Sequence, residues 1–192
     1  MSFKKYQQYP IVQNFKREWA DKTITHAPIY CSVDLRDGNQ ALINPLTVEQ
    51  KLEYFKALVK MGFKQIEVSY PSASDTDFNF TRKLIEEDLV PDDVAIQILI
   101  PAKKEWIKKS VEAMSEVKNG IFHLYNPTNE FQRRVVFQKS DDEIIQMAIE
   151  AMQYLVELTK NFKGKVTYQY SPESFSQTTL EFAVKICNEV IN

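Results

Sequence analysis

Glycine is scarce in this chain, with 4 among 192 residues, and no GxGxxG or P-loop pattern follows a predicted strand. That absence counts against an open sheet that cradles a nucleotide. The two cysteines, Cys31 and Cys187, lie far apart and form no CxxC or metal-spaced pair. We therefore expect two reduced, partly buried thiols rather than a disulfide framework or a cysteine-based zinc site.

Long apolar runs and an excess of one charge are also lacking. No stretch reaches the ~18 apolar residues of a membrane span, and the opening MSFKKYQQYP has no apolar core like that of a signal peptide. The formal net charge is −2, so no basic surface favours nucleic acid or an anionic membrane. These features predict a cytoplasmic protein that binds neither nucleic acid nor membrane.

Hydrophobic patterning divides the chain into an irregular N-terminal extension and one regular domain. Residues 1–28 are polar and aromatic, with at most a short helical turn, and residues 29–192 form the predicted domain. Runs rich in β-formers predict strands, and runs with helical spacing predict helices. The predicted strands are 28–35, 64–70, 94–100, 120–126 and 165–171, and the predicted helices are 47–62, 74–90, 103–117, 140–162 and 178–191.

Five alternations of strand and helix with short connections predict an α/β fold with parallel strands. Two architectures fit, an open doubly wound sheet and a (β/α)8 barrel. In both, functional residues collect where the strands end. The polar residues at these ends are Arg36, Asp37, Asn39 and Gln40, then Glu67, Ser69 and Tyr70, then His123, Tyr125 and Asn126, and finally Gln169, Ser171 and Glu173.

Each of these residues also has a plain structural explanation. Arg36 and Asp37 can form a surface ion pair of little energetic value. A lone strand histidine such as His123 is more often a hydrogen-bonded core residue than a ligand. Tyr125 can simply pack, and Glu173 can simply be solvated. Arg36 and Asp37 cannot both point inward from a regular strand, so the strand must end near Leu35 for both to reach one site.

Four segments resemble the 2-isopropylmalate synthase family: VDLRDGNQALINP, MGFKQIEVSYPSASDTDFNF, HLYNPTNEFQRRVVF and YSPESFS. The resemblance covers nearly the whole chain from Pro28 onward. It implies the catalytic (β/α)8 barrel of that family, of which the first five strand–helix units are present. It also implies a cytoplasmic homodimeric acyltransferase of leucine biosynthesis.

The implied reaction condenses acetyl-CoA with 2-oxoisovalerate and water to give 2-isopropylmalate. The resemblance implies a divalent ion, Mg²⁺, Mn²⁺ or Zn²⁺, that polarises the oxo-acid carbonyl. Asp37 matches its strand-one ligand. Arg36 matches an arginine beside the oxo acid, where a guanidinium would stabilise the developing alkoxide. His123, Tyr125 and Ser171 match pocket residues, and Glu173 matches a glutamate linked to substrate placement and proton transfer. Gln40 and Leu99 are lesser candidates for shaping the pocket.

The chain departs from this family in several places. It has two histidines, His26 and His123, and neither belongs to the HxH pair that supplies the remaining metal ligands. A substrate-contacting threonine, three strand–helix units and the leucine-sensing domain are missing as well. Residues 174–179 read SFSQTT, where the family often has glycine and an acidic residue. We therefore expect the 192 residues alone to bind metal weakly and to lack turnover. Two alternatives remain: a homocitrate or citramalate synthase, and a non-catalytic partial barrel that associates with itself or with another subunit.

Overall fold

A computed structural model describes residue 22 and residues 24–191 of the protein. The predicted helical turn within residues 1–28 lies almost entirely outside this part, and the boundary after residue 28 stays a prediction. The strands are β1 (Cys31–Ser32), β2 (Gln65–Ser69), β3 (Ala95–Pro101), β4 (Asn119–Pro127) and β5 (Lys165–Glu173). The helices are α1 (Val48–Met61), α2 (Asp75–Glu86), α3 (Lys104–Ala113), α4 (Asp141–Thr159) and α5 (Leu180–Ile191).

The five strands form one parallel sheet in the order β1-β2-β3-β4-β5. Each helix packs against the helix before it, which places all five helices on the same side of the sheet. A doubly wound sheet would instead reverse its strand order and cover both faces. The chain therefore forms five consecutive units with the topology of a (β/α)8 barrel, as predicted.

Local signals in the sequence explain where the helices begin and end. Thr47 and Ser140 cap α1 and α4 in reciprocal capping boxes with Gln50 and Glu143. Gly62 ends α1 in the left-handed conformation, with φ of 97°, which glycine adopts without steric cost.

The predicted first strand, 28–35, is much too long. Only Cys31 and Ser32 pair with β2, and the chain then enters a π-helical turn over Asp34–Gly38. The Val33 carbonyl accepts hydrogen bonds from the backbone N–H groups of Arg36, Asp37 and Gly38. β-Propensity alone could not reveal this turn, because it depends on those three hydrogen bonds. The turn lets the consecutive residues Arg36 and Asp37 both lie at the strand end.

The two faces of the sheet differ in chemistry. Toward the helices, Ile66, Ile98 and Phe122 belong to the main apolar core and are fully buried. On the opposite face, which would be the interior of a barrel, the pairing aligns Gln97 with Ile121 and Leu99 with His123. His123 in turn aligns with Gln169, and Tyr125 aligns with Ser171. The inner face therefore becomes polar toward the carboxyl ends of the strands.

Candidate active site

A buried carboxylate, that of Glu67 on β2, joins the polar side chains of the inner face. Its side chain is 0 % exposed. Oε1 accepts a hydrogen bond from Nε of Arg36 at 2.5 Å, and Oε2 lies 2.7 Å from Nδ1 of His123. Nε2 of Gln97 also donates to Oε2. A buried ionised carboxylate needs such partners, because without them its desolvation would be very costly.

These contacts keep Glu67 ionised. Burial acts to raise its pKa, but hydrogen bonds from His123 and Gln97 and the positive charge of Arg36 outweigh burial, so the pKa lies below its ordinary value. An ionised carboxylate can only accept hydrogen bonds, so His123 donates its Nδ1–H to Glu67.

The same histidine reaches Ser171 on β5. Its Nε2 lies 2.7 Å from Oγ of Ser171. With the proton of the neutral ring on Nδ1, Nε2 accepts the hydroxyl proton of Ser171. One chain of hydrogen bonds thus runs from Arg36 through Glu67 and His123 to Ser171, across four elements of the fold. All four are among the polar residues predicted at the strand ends, and site roles were predicted for Arg36, His123 and Ser171.

Aromatic side chains form the next layer toward the strand ends. The hydroxyls of Tyr70 and Tyr125 lie 3.2 Å apart, and their rings meet edge to face at 6.3 Å between centroids. The ring of Trp106 also lies near Tyr70, at 5.9 Å between ring centroids. Burial and the hydrogen bond with Tyr125 raise the pKa of Tyr70, so this phenol stays protonated and able to donate. Leu99, aligned with His123, is 8 % exposed and adds an apolar side chain to the inner face.

The first and second strand–helix loops enclose a cleft at this edge. Its volume is about 760 Å³, and its lining includes Arg36, Gln40 and Tyr70 together with the first residues of α1 and α2. The side chain of Gln40 is exposed and makes no hydrogen bond among residues 22 and 24–191, so its role in shaping a pocket stays a prediction.

Arg36 connects this cleft to the buried network. Nε pairs with Glu67 and Nη1 pairs with Asp37 at 2.6 Å, while Nη2 has no hydrogen bond within the described residues. The guanidinium is therefore fixed through two of its nitrogens, and its third nitrogen can bind an anion or a carbonyl oxygen.

Glu173 stands at the end of β5, and its backbone is fixed by the β4–α4 loop. Its carbonyl accepts hydrogen bonds from the backbone N–H of Thr128 at 3.1 Å and from Oγ1 of Thr128 at 3.0 Å. The carboxyl side chain makes no hydrogen bond in the described part of the chain. Desolvation raises the pKa of this carboxyl, with Arg36 acting weakly against it. A carboxyl with a raised pKa can exchange a proton nearer neutral pH than an ordinary glutamate can.

Asp37, the predicted metal ligand, is exposed and paired with Arg36. Its side chain is 62 % exposed. In residues 22 and 24–191, no group of three or more His, Cys, Asp or Glu side chains could hold a metal ion. One hard carboxylate suits Mg²⁺ or Mn²⁺, but these ions need several oxygen ligands. The described residues therefore do not form a metal site by themselves.

Two central residues, Glu67 and Gln97, had no predicted site role, although Glu67 was among the polar residues expected at the strand ends. Both lie in the middle of strands. The signal was present, since each is a polar residue inside an otherwise apolar strand, IEV and IQI. A strand that is buried on both faces should be almost continuously apolar, so an internal Glu or Gln there indicates a polar inner face.

The fold and this rim of polar side chains define a barrel-type α/β protein with an enzyme-like site at the carboxyl ends of its strands. The chain belongs to the HMGL-like family, whose match covers residues 27–192. It is 50 % identical over 195 residues to the 2-isopropylmalate synthase of Clostridium acetobutylicum, covering 100 % of this chain and 35 % of that protein. It is 50 % identical over 194 residues to the 2-isopropylmalate synthase of Helicobacter hepaticus, and this match covers 100 % of this chain and 35 % of that protein. It is 48 % identical over 187 residues to the 2-isopropylmalate synthase of Agrobacterium fabrum, and this match covers 97 % of this chain and 34 % of that protein.

The chain thus spans about a third of the length of these curated relatives. The expected resemblance is confirmed at the level of the family. None of the helices described in residues 24–191 is long and apolar enough to cross a membrane.

Proposed function

We propose that this chain carries the oxo-acid half of a 2-isopropylmalate synthase site. The reaction joins the methyl carbon of acetyl-CoA to the carbonyl carbon of 2-oxoisovalerate, and water then releases free CoA and 2-isopropylmalate. The observation that supports this most is the Arg36–Glu67–His123–Ser171 network, which fixes cationic and hydrogen-bonding groups around one edge of the sheet. The identity to three synthases of that name agrees with it.

Each residue then has a distinct task. Nη2 of Arg36 binds the carbonyl oxygen of the oxo acid and stabilises the negative charge that develops there. Tyr125 donates its hydroxyl to the carboxylate end, and Ser171 and His123, joined by their hydrogen bond, line the pocket beside it. Leu99 contacts the branched alkyl group, and Gln40 borders the entrance. Glu173, with its raised pKa, places the substrate and takes part in proton transfer. The base that deprotonates acetyl-CoA is not assigned to a residue.

The metal ion, the thioester and the assembly belong to the proposal as well. A divalent ion, Mg²⁺, Mn²⁺ or Zn²⁺, would act as a Lewis acid, and Asp37 is the only residue here that we propose to touch it. Ligands outside the described residues would have to complete that site, so no step of the proposal depends on it. A homodimer and a cytoplasmic location are the expected setting.

Two measurements test the proposal. The first is a thiol-release assay of the purified 192-residue chain with a divalent metal, acetyl-CoA and 2-oxoisovalerate, in which we expect no turnover. Clear turnover by a monomer would show that the chain holds a complete site. The second is calorimetric titration with 2-oxoisovalerate, in which we expect weak binding that Ser171→Ala weakens further. Equal binding by both proteins would contradict the assigned pocket.

A related synthase that acts on another oxo acid is the nearest competing function. Homocitrate and citramalate synthases would share the carboxylate-binding and carbonyl-binding residues and differ around the alkyl group, near Leu99. Titrations with 2-oxoglutarate and pyruvate, alongside 2-oxoisovalerate, distinguish these enzymes. The buried, apolar Leu99 favours the branched substrate over 2-oxoglutarate, whose second carboxylate would lose its hydration there.

One observation favours a third role, association with a second copy of the chain. In the described residues, β1 and β5 each have a hydrogen-bonded neighbour on one side only. Apolar side chains near β5 are also exposed, namely Phe175 (56 %), Leu180 (69 %) and Val184 (59 %). Open edges and exposed apolar groups promote pairing between chains. Size-exclusion chromatography with light scattering tests this role, and a monomer at high concentration would exclude it.

A further inference from the structure

We propose that the buried ion pair between Lys51 and Asp77 is a positioning device that points Tyr70 into the active-site cleft. Lys51 lies on α1 and Asp77 on α2, so both belong to the helical layer. Tyr70 follows β2 and contacts Tyr125 on the inner face. The inference rests on the proposed function only in treating this cleft as a substrate site.

The end of β2 contains an irregularity that changes the direction of its side chains. Glu67 pairs with Gln97, but Ser69 pairs with Ile98, so Val68 is an extra residue in the strand. A bulge of this kind shifts the alternation of the side chains by one position. Glu67 and Tyr70 are three residues apart and would face opposite sides of a regular strand. With the bulge, both lie on the inner face, where Glu67 meets His123 and Tyr70 meets Tyr125.

The three consecutive residues from the bulge onward, Val68, Ser69 and Tyr70, are each held by a separate contact from the helical layer. The Val68 carbonyl accepts a hydrogen bond from Nζ of Lys51 at 3.1 Å. The Ser69 hydroxyl lies 2.6 Å from that of Thr81 on α2. The Tyr70 N–H donates to Oδ2 of Asp77 at 2.8 Å.

Lys51 and Asp77 also bind each other, which makes them one unit. Nζ of Lys51 donates to Oδ1 of Asp77, and the lysine side chain is 0 % exposed. The ammonium also lies 5.2 Å from the centre of the Phe80 ring. Burial lowers the pKa of Lys51, while Asp77 acts to keep it charged.

Stability alone does not account for this arrangement. Removing two charges from water is costly, and apolar residues of similar volume often replace a buried ion pair without loss of stability. A well-packed leucine pair would fill the same space between α1 and α2. It could not donate to the Val68 carbonyl or accept from the Tyr70 N–H, so it could not hold the bulge.

The test compares two double variants. Lys51→Met combined with Asp77→Asn removes both charges of the buried pair, so no single charge is left uncompensated. Lys64→Met combined with Asp93→Asn is the matched control, because that pair has the same chemistry but its side chains are 52 % and 66 % exposed. The single variant Lys51→Met adds the case in which Asp77 keeps its charge.

The readouts follow Tyr70 directly and need no oxo acid. In the buried-pair variants we expect loss of the nuclear Overhauser contact between the Tyr70 and Tyr125 rings. We also expect the Tyr70 amide of the double variant to exchange about tenfold faster relative to core amides such as Leu84, because its hydrogen bond to Asp77 is no longer charge-assisted. Trp19→Phe removes the other tryptophan of the sequence, so the remaining fluorescence comes from Trp106 and changes when Tyr70 moves away from it. The exposed-pair control should leave all three signals unchanged.

A merely stabilising pair would behave differently. It would accelerate Tyr70 and Leu84 exchange together and leave the Tyr70–Tyr125 contact in place, and that result would overturn the inference. If Lys51→Met does not fold, the double variant decides the question through the ring contact. Weaker binding of 2-oxoisovalerate with Tyr70 displaced would extend the role to the substrate. If Tyr70 is displaced in the buried-pair variants but neither they nor the unsubstituted chain binds the oxo acid, the result would count against the proposed function and leave the positioning role intact.

Discussion

Nδ1 of His123 lies 2.7 Å from Oε2 of Glu67, inside a sheet whose other face is almost entirely apolar. This contact joins β4 to β2 across β3 and places an acceptor at Nδ1, which selects the tautomer of the neutral imidazole. It also explains why a charged residue is tolerated at the centre of β2, since Arg36 and Gln97 supply its remaining partners.

Glu67→Gln should destabilise the protein on the order of 3 to 5 kcal/mol, because it leaves Arg36 without its buried counter-ion. Urea unfolding followed by circular dichroism measures this change. Glu86→Gln is the control, since that carboxylate pairs with Arg82 at the surface and is 60 % exposed. The control should lose no more than about 1 kcal/mol. Equal losses in the two variants would mean that Glu67 is not held as a buried ion.

Stability should fall as the solution becomes acidic, with Glu67 as one cause. Its pKa is lower in the folded state than in the unfolded state, so it contributes stability above its unfolded value of ~4.3. That contribution is lost as the pH falls through the lower folded pKa. Urea midpoints measured from neutral pH to below pH 4 should therefore fall less steeply in Glu67→Gln than in the natural sequence. Parallel curves for the two proteins would contradict the lowered pKa.

The neutral ring of His123 should carry its proton on Nδ1. Ionised Glu67 accepts that proton, which leaves Nε2 to accept from Ser171. The ¹⁵N chemical shifts of the imidazole distinguish the two tautomers. Ser171→Ala should keep the Nδ1–H form and cost about 1 kcal/mol for the lost hydrogen bond. An Nε2–H tautomer in the natural protein would contradict the described network.

Gly164→Ala should destabilise the fold by roughly 1 to 3 kcal/mol, the usual cost of overpacking. A Cβ atom there would lie 1.9 Å from the Val117 carbonyl oxygen and 2.7 Å from that of Lys118, and backbone cannot move aside easily. Gly38→Ala is the comparison, because its nearest contact would be an ordinary 3.8 Å. Thermal unfolding of both variants, compared with the unsubstituted chain, measures the effect of the close approach between the loop at Gly164 and the residues just before β4.

Much of the fold could be predicted from the sequence, because the helices and the inner strands have strong local signals. The spacing of Leu52, Phe55 and Leu58 and the caps at Thr47 and Gly62 define α1 to within a residue. The first strand could not be predicted in this way. The turn at Asp34–Gly38 depends on a single carbonyl, that of Val33, and residue propensities contain no information about it.

The candidate site could be predicted only in part. Arg36, His123, Ser171 and Tyr125 could be placed at one edge because the carboxyl ends of parallel strands meet there. Glu67 was among the polar residues expected at the strand ends, but its contacts with Arg36 and His123 were not predicted, because they depend on how the strands lie beside one another in the sheet. Gln97 was missed altogether. Tyr70 needed the bulge after Glu67, which no pattern in QIEVSY indicates.

The most direct test is an NMR titration of the chain with 2-oxoisovalerate, followed at Arg36, His123, Tyr125 and Ser171. The account predicts shifts at these residues and binding at least about tenfold weaker in Arg36→Lys, which keeps the charge but loses the two-pronged geometry of the guanidinium. Shifts confined to other parts of the chain, or equal binding by the Arg36→Lys variant, would contradict the claim that this network forms an oxo-acid site.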